Sequence, residues 1–230
     1  MSESTLSHHR PPWPSNPEPT LDRGMLPPDP LPLFREWMAA AVQDSRMDYP
    51  NAMALSTVDG EGFPDARIVL LKDVDERGFV FYTNRDSAKG RALAGEPRAS
   101  LTFYWDALAR QVRVRGICRN VPDHESDEYF ASRPRGSRVG AWASNQSREL
   151  QSRAELEDRV RAVEEEYGDG EIPRPPHWGG ILLRPVEVEF WQGRESRLHD
   201  RFVYRRVKGA EDLDDTDIPS SQWTIHRLNP

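Results

Sequence analysis

The stretch ARIVLLKDVDERGFVFYT, residues 66 to 83, decides the fold of this chain. It holds two apolar runs rich in β-branched residues, Ala66 to Val74 and Gly78 to Thr83, and the polar turn Asp75-Glu76-Arg77-Gly78 joins them. Two such runs separated by a short polar turn are typical of a β-hairpin. Hairpins join antiparallel strands, whereas parallel strands need long crossover connections. The stretch therefore predicts an antiparallel sheet.

Strand and helix patterns continue on both sides of this hairpin. Further strands are predicted at Ala52 to Val58, Arg98 to Trp105, Arg110 to Val121, Ile181 to Gln192, Arg201 to Val207 and Trp223 to Arg227. Helices are predicted at Asp29 to Gln43, Ser87 to Ala94, Asp123 to Phe130 and Ser152 to about Tyr167. Hairpins outnumber βαβ units, so the pattern indicates an α+β fold with a mostly antiparallel sheet. A closed or split β-barrel with flanking helices fits this set of elements.

Composition divides the 230 residues into a tail and one domain. Residues 1–28 are rich in Pro, Ser and Glu, which predicts a disordered or loosely draped, lid-like N-terminal tail. No strong linker interrupts residues 29–230, so they are predicted to form a single domain. Residues 208–221 are acidic and polar, and we interpret them as a mobile loop between the last two strands.

The bulk properties exclude several classes of protein. The net charge of −7 argues against a general nucleic-acid-binding surface, so any anion site has to be built locally from placed Arg and Lys. The single cysteine, Cys118, allows no intrachain disulfide and predicts a cytoplasmic protein. Cys118 itself is interpreted as a small buried hydrophobe. There is no apolar run of membrane-spanning length and no HExxH or CxxC metal pattern, so neither a membrane nor a metal is predicted.

A dense cluster of rings and cations occupies EFWQGRESRLHDR, residues 189 to 201. Such density suits a pocket for a planar, anionic, aromatic ligand. Arg197 and His199 are two apart, so an extended strand would point both to one face and Leu198 into packing on the other. The alternative is a structural set of ion pairs.

Another stretch dense in rings and cations is EYFASRPRGSRVGAWASNQS, residues 128 to 147. Tyr129 and Arg133 are four apart and share a face if one helix continues through both, and Ser137 follows the turn SRPRGS. A phenol, a guanidinium and a hydroxyl that converge could hold a small phosphate dianion. The alternative, an Arg placed against a helix dipole, explains Arg133 but not the whole set.

Two cations also flank the short apolar run at the start of residues 66 to 83. Arg67 and Lys72 either bracket a core strand or contact a phosphate, and the residues alone favour the first reading. Ser87-Ala88-Lys89 opens a helix, where a hydroxyl, an ammonium and free backbone N–H groups form a plausible phosphate cradle. In the strand after Arg110, the side chains of Gln111, Arg113 and Arg115 share a polar face. This face is either solvated or part of a subunit interface, and the interface is the sharper prediction.

Together these motifs resemble the pyridoxine/pyridoxamine 5′-phosphate oxidases, and the resemblance runs from about Asp29 to Pro230. It implies an FMN-binding split β-barrel that forms a homodimer with FMN at the subunit interface. The implied reaction oxidises pyridoxamine or pyridoxine 5′-phosphate at C4′ to pyridoxal 5′-phosphate. Hydride passes to flavin N5, and O2 is reduced to H2O2.

The resemblance also implies roles for individual residues. The implied cofactor contacts are Arg67, Ile68, Val69, Leu70, Leu71, Lys72, Tyr82, Thr83, Lys89, Gln111, Gln146, Ser147, Trp191 and Arg201. The implied substrate contacts are Lys72, Tyr129, Arg133, Ser137, Arg197, Leu198 and His199, among which Arg197 and His199 are the expected catalytic residues. Ala88 departs from the family, which usually has an Arg there, and Arg85 or Arg91 is the expected substitute.

Two alternatives stay open. One is an oxidase of the same fold that acts on another aromatic substrate, for example in a phenazine pathway, and the set Tyr129, Arg133 and Ser137 argues against it. The other is a split barrel that binds flavin, haem or pyridoxal phosphate without catalysis. The presence of Arg197 and His199 argues against this second alternative.

Overall fold

The computed structural model describes residues 20–207 and 223–230. Within them, the strands are β1 (Ala52–Val58), β2 (Pro64–Leu70), β3 (Asp73–Asp75), β4 (Gly78–Asn84), β5 (Arg98–Trp105), β6 (Arg110–Asn120), β7 (Trp178–Gln192), β8 (Asp200–Arg206) and β9 (Trp223–Arg227). The α-helices are α1 (Pro30–Gln43), α2 (Ala88–Gly95), α3 (Asp123–Ser132), α4 (Arg135–Ala143) and α5 (Arg153–Tyr167). None of these helices is long and apolar enough to cross a bilayer.

All nine strands belong to one sheet, and every pairing is antiparallel. The order is β2-β1-β5-β6-β7-β4-β3, with β8 on the second half of β7 and β9 beyond it. Strand β7 has 15 residues, and its first half pairs with β4. The sheet curls into a split barrel, which confirms the predicted α+β fold.

The opening stretch forms two strands rather than the single strand predicted over Ala66 to Val74. The N–H of Leu71 donates to the carbonyl of Asn51 at 2.9 Å, whereas the next N–H, of Lys72, donates to the carbonyl of Val80 at 2.9 Å. The chain therefore leaves β1 and joins β4 between two consecutive residues. This change of partner brings β2 beside β4 and separates β2 from β3.

Helix α1 covers the apolar interior of the barrel. Asp29 caps it by accepting a hydrogen bond from the N–H of Leu31 at 2.8 Å, and Pro30 follows at the first position, where a missing N–H costs nothing. Phe34 packs edge-on against Phe79 at 4.8 Å and Phe103 at 5.0 Å between ring centroids. The helix predicted from Asp29 to Gln43 is confirmed, with its first helical residue at Pro30.

Strand β6 confirms the predicted alternation. Val112 and Val114 are fully buried, while the side chains of Gln111 and Arg113 lie on the other face. Cys118 is 7% exposed, and burial raises the pKa of its thiol to about 12. It is a buried hydrophobe, as the sequence indicated.

The N-terminal tail predicted over residues 1–28 extends too far toward the domain. Leu21 and Leu26 are buried in the main core, and the Tyr204 hydroxyl donates to the carbonyl of Pro27 at 3.0 Å. Residues 20–28 therefore pack on the domain because two leucines interrupt the polar composition. The rest of the predicted tail, residues 1–19, and the predicted mobile loop, residues 208–221, lie outside the described residues.

The start of β4 yields a test of this packing. Gly78 has φ +147°, and a Cβ there would lie 2.2 Å from the carbonyl oxygen of Leu183. We expect Gly78→Ala to lower the free energy of unfolding by about 2–6 kcal/mol, because backbone strain and overpacking each cost roughly 1–3 kcal/mol. The control is Gly62→Ala, since Gly62 has φ +88° with open space around its Cβ position. Urea denaturation measures both, and equal losses would exclude the clash with Leu183 as the cause.

Candidate active site

A cavity of about 680 Å³ lies between β2, β4 and the junction of α3 with α4. Residues of both β2 and β4 line it, and the change of strand partner after Leu71 brings these two strands close together. Its lining includes many of the residues predicted for cofactor and substrate: Ile68, Val69, Leu70, Lys72, Tyr82, Thr83, Lys89, Tyr129, Arg133, Ser137 and Gln146. Two separate sequence clusters therefore meet in one cavity.

Stacked aromatic rings form one wall of this cavity. The rings of Tyr82 and Tyr129 are stacked with centroids 3.9 Å apart, and Trp178 stacks on Tyr82 at 5.4 Å. The guanidinium of Arg133 lies over the Trp178 ring, 4.6 Å from its centroid. The wall thus combines flat apolar surface with a fixed cation, which suits an aromatic anion.

Arg133 reaches the cavity by a different route from the one predicted. Helix α3 ends at Ser132, and Arg133 is extended, with φ −73° and ψ 147°. The cause is Pro134, whose ring disfavours helical backbone in the residue before it. The predicted single helix through Tyr129 and Arg133 is wrong, and the predicted turn SRPRGS contains the start of helix α4, which carries Ser137.

The Arg133 guanidinium has unused hydrogen-bonding capacity. Its Nη1 is buried and has no hydrogen-bond partner among the described residues, and burial lowers the pKa of the group. The ammonium of Lys72 lies 5.9 Å from the centroid of the Tyr129 ring. A buried donor without a partner is costly, so this part of the cavity fits a phosphate well.

A second cationic group lies around Lys89. Its ammonium donates to Gln146 Oε1 at 2.7 Å and to Ser87 Oγ at 3.2 Å. Burial and then the nearby Arg67 charge lower the pKa of Lys89. Ser87 also caps α2 by accepting from the N–H of Gly90 at 3.3 Å. The hydroxyl, the ammonium and the helix start that were predicted to bind a phosphate do lie close together. Their role in binding a phosphate stays a prediction.

Arg67 and Leu71 are predicted cofactor contacts that do not line the cavity. The Arg67 guanidinium donates to Thr57 Oγ1 at 2.8 Å and pairs with Asp65. Leu71 is buried in the main core. Arg67 therefore acts at the cavity through its charge, which lowers the pKa of Lys89, whereas Leu71 lies in the core and not at the cavity.

Neither expected substitute for the usual Arg at Ala88 lines the cavity. The Arg85 side chain packs against Gly179, where a Cβ would lie 2.3 Å from its Nη2. The Arg91 guanidinium donates to the carbonyl of Asp86. The expectation that one of them compensates for Ala88 finds no support in their positions.

Sequence reasoning missed several lining residues: Asn84, Pro134, Gly140, Ala141, Ser144 and Trp178. Trp178 was missed because the strand was predicted to begin at Ile181, after a Gly-Gly pair that normally marks a turn. The structure explains this pair, since a Cβ at Gly180 would lie 2.8 Å from the Tyr82 ring. A Trp directly before two glycines was the feature of the sequence that could have indicated this lining residue. The small residues of α4, Gly140 and Ala141, had no feature that indicated a place in the cavity.

The remaining predicted residues form a second cluster elsewhere. Gln111, Trp191 and Arg201 are register neighbours across β6, β7 and β8, and the His199 ring lies 4.6 Å from the Trp191 ring. None of these four lines the cavity. Trp178 and Trp191 lie near opposite ends of β7, so at roughly 3.3 Å per residue about 40 Å of strand separates them. One chain cannot bring both ends of β7 to one small ligand.

Arg197, Leu198 and His199 are not on an extended strand, which corrects the prediction. Gln192 pairs with Asp200, so residues 193–199 form the loop between β7 and β8. A short 3-10 turn at Glu195–Arg197 reverses the chain, and Arg197 has φ +62°. Leu198 is 69% exposed, so it does not point into packing. Ser147, the last predicted cofactor contact, follows Gln146 with φ +66° and lies outside the cavity lining.

The hydrogen bonding of His199 defines its tautomer. Its Nδ1 accepts from the N–H of Arg194 at 3.0 Å, so the neutral ring carries its proton on Nε2. Burial, followed by the charges of Arg197 and Arg201, lowers the pKa of His199 below its usual value. Burial and the two arginines thus favour the neutral ring over the imidazolium.

The fold and the site together define a split-barrel protein. In its cavity, Lys and Arg side chains that can bind anions lie beside a wall of stacked aromatic rings. Residues 39–167 match the family described as pyridoxamine 5′-phosphate oxidase, and residues 178–230 match the pyridoxine 5′-phosphate oxidase C-terminal dimerisation region. The chain belongs to the pyridoxine/pyridoxamine 5′-phosphate oxidase family, and it is an oxidoreductase of that family.

Individual relatives support this assignment. A pyridoxine/pyridoxamine 5′-phosphate oxidase of Burkholderia cenocepacia is 53% identical over 211 residues, which cover 92% of this chain and 94% of the relative. A pyridoxine/pyridoxamine 5′-phosphate oxidase of Gloeothece citriformis is 51% identical over 203 residues, which cover 88% of this chain and 89% of the relative. Among solved structures, PhzG from Burkholderia lata, in complex with tetrahydrophenazine-1-carboxylic acid, is similar with a TM-score of 0.78 at 30% identity, covering 90% of this chain and 95% of that one.

The electrostatics of His199 are testable by titration. We expect its imidazole to titrate below the usual pKa of 6.5, because burial and two arginines disfavour the imidazolium. Arg197→Ala should raise this pKa, since it removes a positive charge that opposes protonation. NMR of the imidazole Cε1–H signals measures the pKa, and His199→Gln assigns the signal.

The control for this titration is Arg205→Ala, because Arg205 pairs with Glu187 and is not among the charges that act on His199. It should leave the His199 pKa unchanged. An imidazole that titrates at or above 6.5 in the unaltered chain would contradict the described environment.

Proposed function

We propose that this chain is an FMN-dependent oxidase that converts pyridoxamine or pyridoxine 5′-phosphate into pyridoxal 5′-phosphate, with O2 reduced to H2O2. One observation carries the proposal. Lys72, Tyr129, Arg133 and Ser137 line one cavity beside a stacked aromatic wall, and the buried Nη1 of Arg133 has no partner among the described residues. A phosphorylated aromatic ring matches both features, because the wall takes the ring and the cations take the phosphate.

The working enzyme is proposed to be a homodimer with composite sites. The second cluster, with Trp191 and His199, lies about 40 Å along β7 from the cavity. A twofold axis lets the second cluster of one copy approach the cavity of the other, and it generates two equal sites. The match of residues 178–230 to a dimerisation region supports this arrangement.

The residues present fit FMN. Lys89 and Gln146 would hold its phosphate end, with the nearby Arg67 charge adding to the positive field there, and Gln111, Trp191 and Arg201 of the second copy would contact its ring. When bound, FMN supplies a hydride acceptor at N5 and passes the electrons to O2. The Arg201 cation placed near the ring would stabilise a reduced, anionic flavin.

The chain's own part in the reaction is placement. Lys72 and Arg133 would hold the substrate phosphate as charge-assisted hydrogen-bond donors, with the hydroxyls of Tyr129 and Ser137 completing the set. Arg197 and His199 of the second copy would face the substrate ring. His199 would orient the substrate ring and assist proton removal.

The similarity to PhzG keeps a phenazine-type substrate as the second candidate. The four residues proposed to hold a phosphate, namely Lys72, Tyr129, Arg133 and Ser137, favour a phosphorylated substrate over a phenazine-type carboxylate. A binding role without catalysis is the third possibility. Turnover with each substrate class separates the three.

The first test is turnover. The purified chain with FMN in air should form pyridoxal 5′-phosphate from pyridoxine or pyridoxamine 5′-phosphate, with matching O2 consumption. Arg133→Met should raise KM for the substrate roughly ten- to hundred-fold, as expected for a lost charged hydrogen bond, while FMN affinity stays the same. The control is Arg153→Met, because Arg153 is exposed and pairs with Glu157 on α5. If a flavin-loaded protein oxidises neither vitamer, the proposal is wrong.

The second test is subunit complementation. At substrate concentrations near the KM of the unaltered chain, Arg133→Ala and Arg197→Ala should each be nearly inactive alone, whereas a mixed dimer regains one intact site if the two residues come from different chains. Random co-assembly should then restore about a quarter of the wild-type activity, because half of the dimers are mixed and each holds one working site.

A same-cavity pair provides the control for this experiment. Lys72→Ala mixed with Arg133→Ala leaves every cavity damaged, because both residues line the same cavity. This mixture should stay inactive. Equal recovery in both mixtures, or recovery in neither, would refute composite sites.

A further inference from the structure

Glu189 is a carboxylate that is nearly removed from solvent, with 6% exposure. It lies on β7, two residues before Trp191, so both side chains point to the same face of the strand. Charged residues are seldom buried to this extent unless they are paired. Glu189 belongs to neither predicted set of ligand contacts, so its burial needs another explanation.

Two arginines on the flanking strands share this carboxylate. Oε1 accepts from Nε of Arg201 at 2.9 Å and lies 2.8 Å from its Nη2. Oε2 accepts from Nη1 of Arg113 at 3.1 Å. The third nitrogen of Arg201, Nη1, donates to the carbonyl of Asn229 at 3.0 Å. All three nitrogens of Arg201 are held, and two of them are held by Glu189.

The arrangement also sets the local charge. Arg113, Glu189 and Arg201 together carry one net positive charge, next to the ring of Trp191, which is the register neighbour of Arg201. Because Glu189 is buried, its charge is screened by solvent much less than that of an exposed carboxylate. Any ligand that lies against Arg201 therefore experiences a cation whose field is partly offset.

We infer that Glu189 is a positioning residue that fixes the Arg201 guanidinium toward FMN and, by offsetting its charge, holds down the reduction potential of the bound flavin. This inference rests on the proposed function, in which Arg201 contacts the flavin. A bare cation beside the ring would stabilise the reduced anionic flavin more strongly, so removing the Glu189 charge should make the flavin easier to reduce.

A purely structural reading would make Glu189 a tie between strands β6, β7 and β8. The chain contains a matched comparison for it. Glu187, two residues earlier on the same strand, bridges Arg115 at 3.4 Å and Arg205 at 2.9 Å in the same way. Neither of those arginines is a proposed ligand contact. Glu187 therefore joins the same strands without a proposed role at the flavin.

The test measures flavin properties rather than turnover alone. The midpoint potential and the dissociation constant of FMN are determined for the full-length protein and for Glu189→Gln, Glu187→Gln, Glu189→Ala and Arg201→Ala. Glu189→Gln keeps the size and one acceptor, so it should still bind FMN and shift the midpoint potential to a more positive value than Glu187→Gln does. Glu189→Ala frees Arg201 and should raise the FMN dissociation constant roughly ten-fold or more.

The outcomes separate the two levels of the argument. If Arg201→Ala weakens FMN binding but Glu189→Gln and Glu187→Gln shift the potential equally, the role of Glu189 is refuted and the proposed function stands. If Arg201→Ala changes neither FMN affinity nor potential, the placement of Arg201 at the flavin fails, and the inference fails with it. A Glu189→Ala chain that does not fold leaves the decision to the Gln variants.

Discussion

The change of hydrogen-bond partner between Leu71 and Lys72 is the constraint on which the site depends. Two consecutive N–H groups donate to Asn51 and Val80, which belong to parts of the sheet far apart in strand order. Successive N–H groups of an extended chain point to opposite sides, so these two reach different partners, and pairing with β1 ends at Leu70 while pairing with β4 begins at Asp73. The change of partner separates β2 from β3, and the sheet curls so that β2 approaches β4. The cavity, with Lys72 on one side and Tyr82 on the other, is the space that this curl encloses.

The length of β7 is the second consequence of this architecture. One half of the strand supports the cavity through β4, and the other half carries the second cluster through β6 and β8. The two halves present different chemistry, stacked rings near Trp178 and ladders of Arg and Glu near Trp191. A single strand thus contributes to both kinds of surface.

Local patterns in the sequence predicted most of the fold. Alternating runs gave β1, β5 and β9 with their observed ends, and the pair Asp29-Pro30 marked the start of α1, because capping and fixed φ act within one turn. The two clusters that contain Arg133 and Arg197 were also visible as unusual densities of cations and rings. What the sequence could not supply was the path of the backbone inside those clusters.

Each error there has a long-range or a steric cause. Pro134 forces Arg133 out of the helix, and the pairing of Gln192 with Asp200 places Arg197 in a loop. Trp178 was missed because the need for two glycines beside it arises only when the Tyr82 ring is already packed. Local propensity describes an element, but contacts between elements decide where a side chain finally points.

The burial of Cys118 has a consequence for durability. Peroxide attacks a thiolate and not a thiol, so a sulfhydryl whose pKa is raised to about 12 is nearly inert at physiological pH. In the proposed reaction, every turnover releases an oxidant within the protein's own structure. With its single cysteine buried in the core, the chain keeps this thiol away from that by-product.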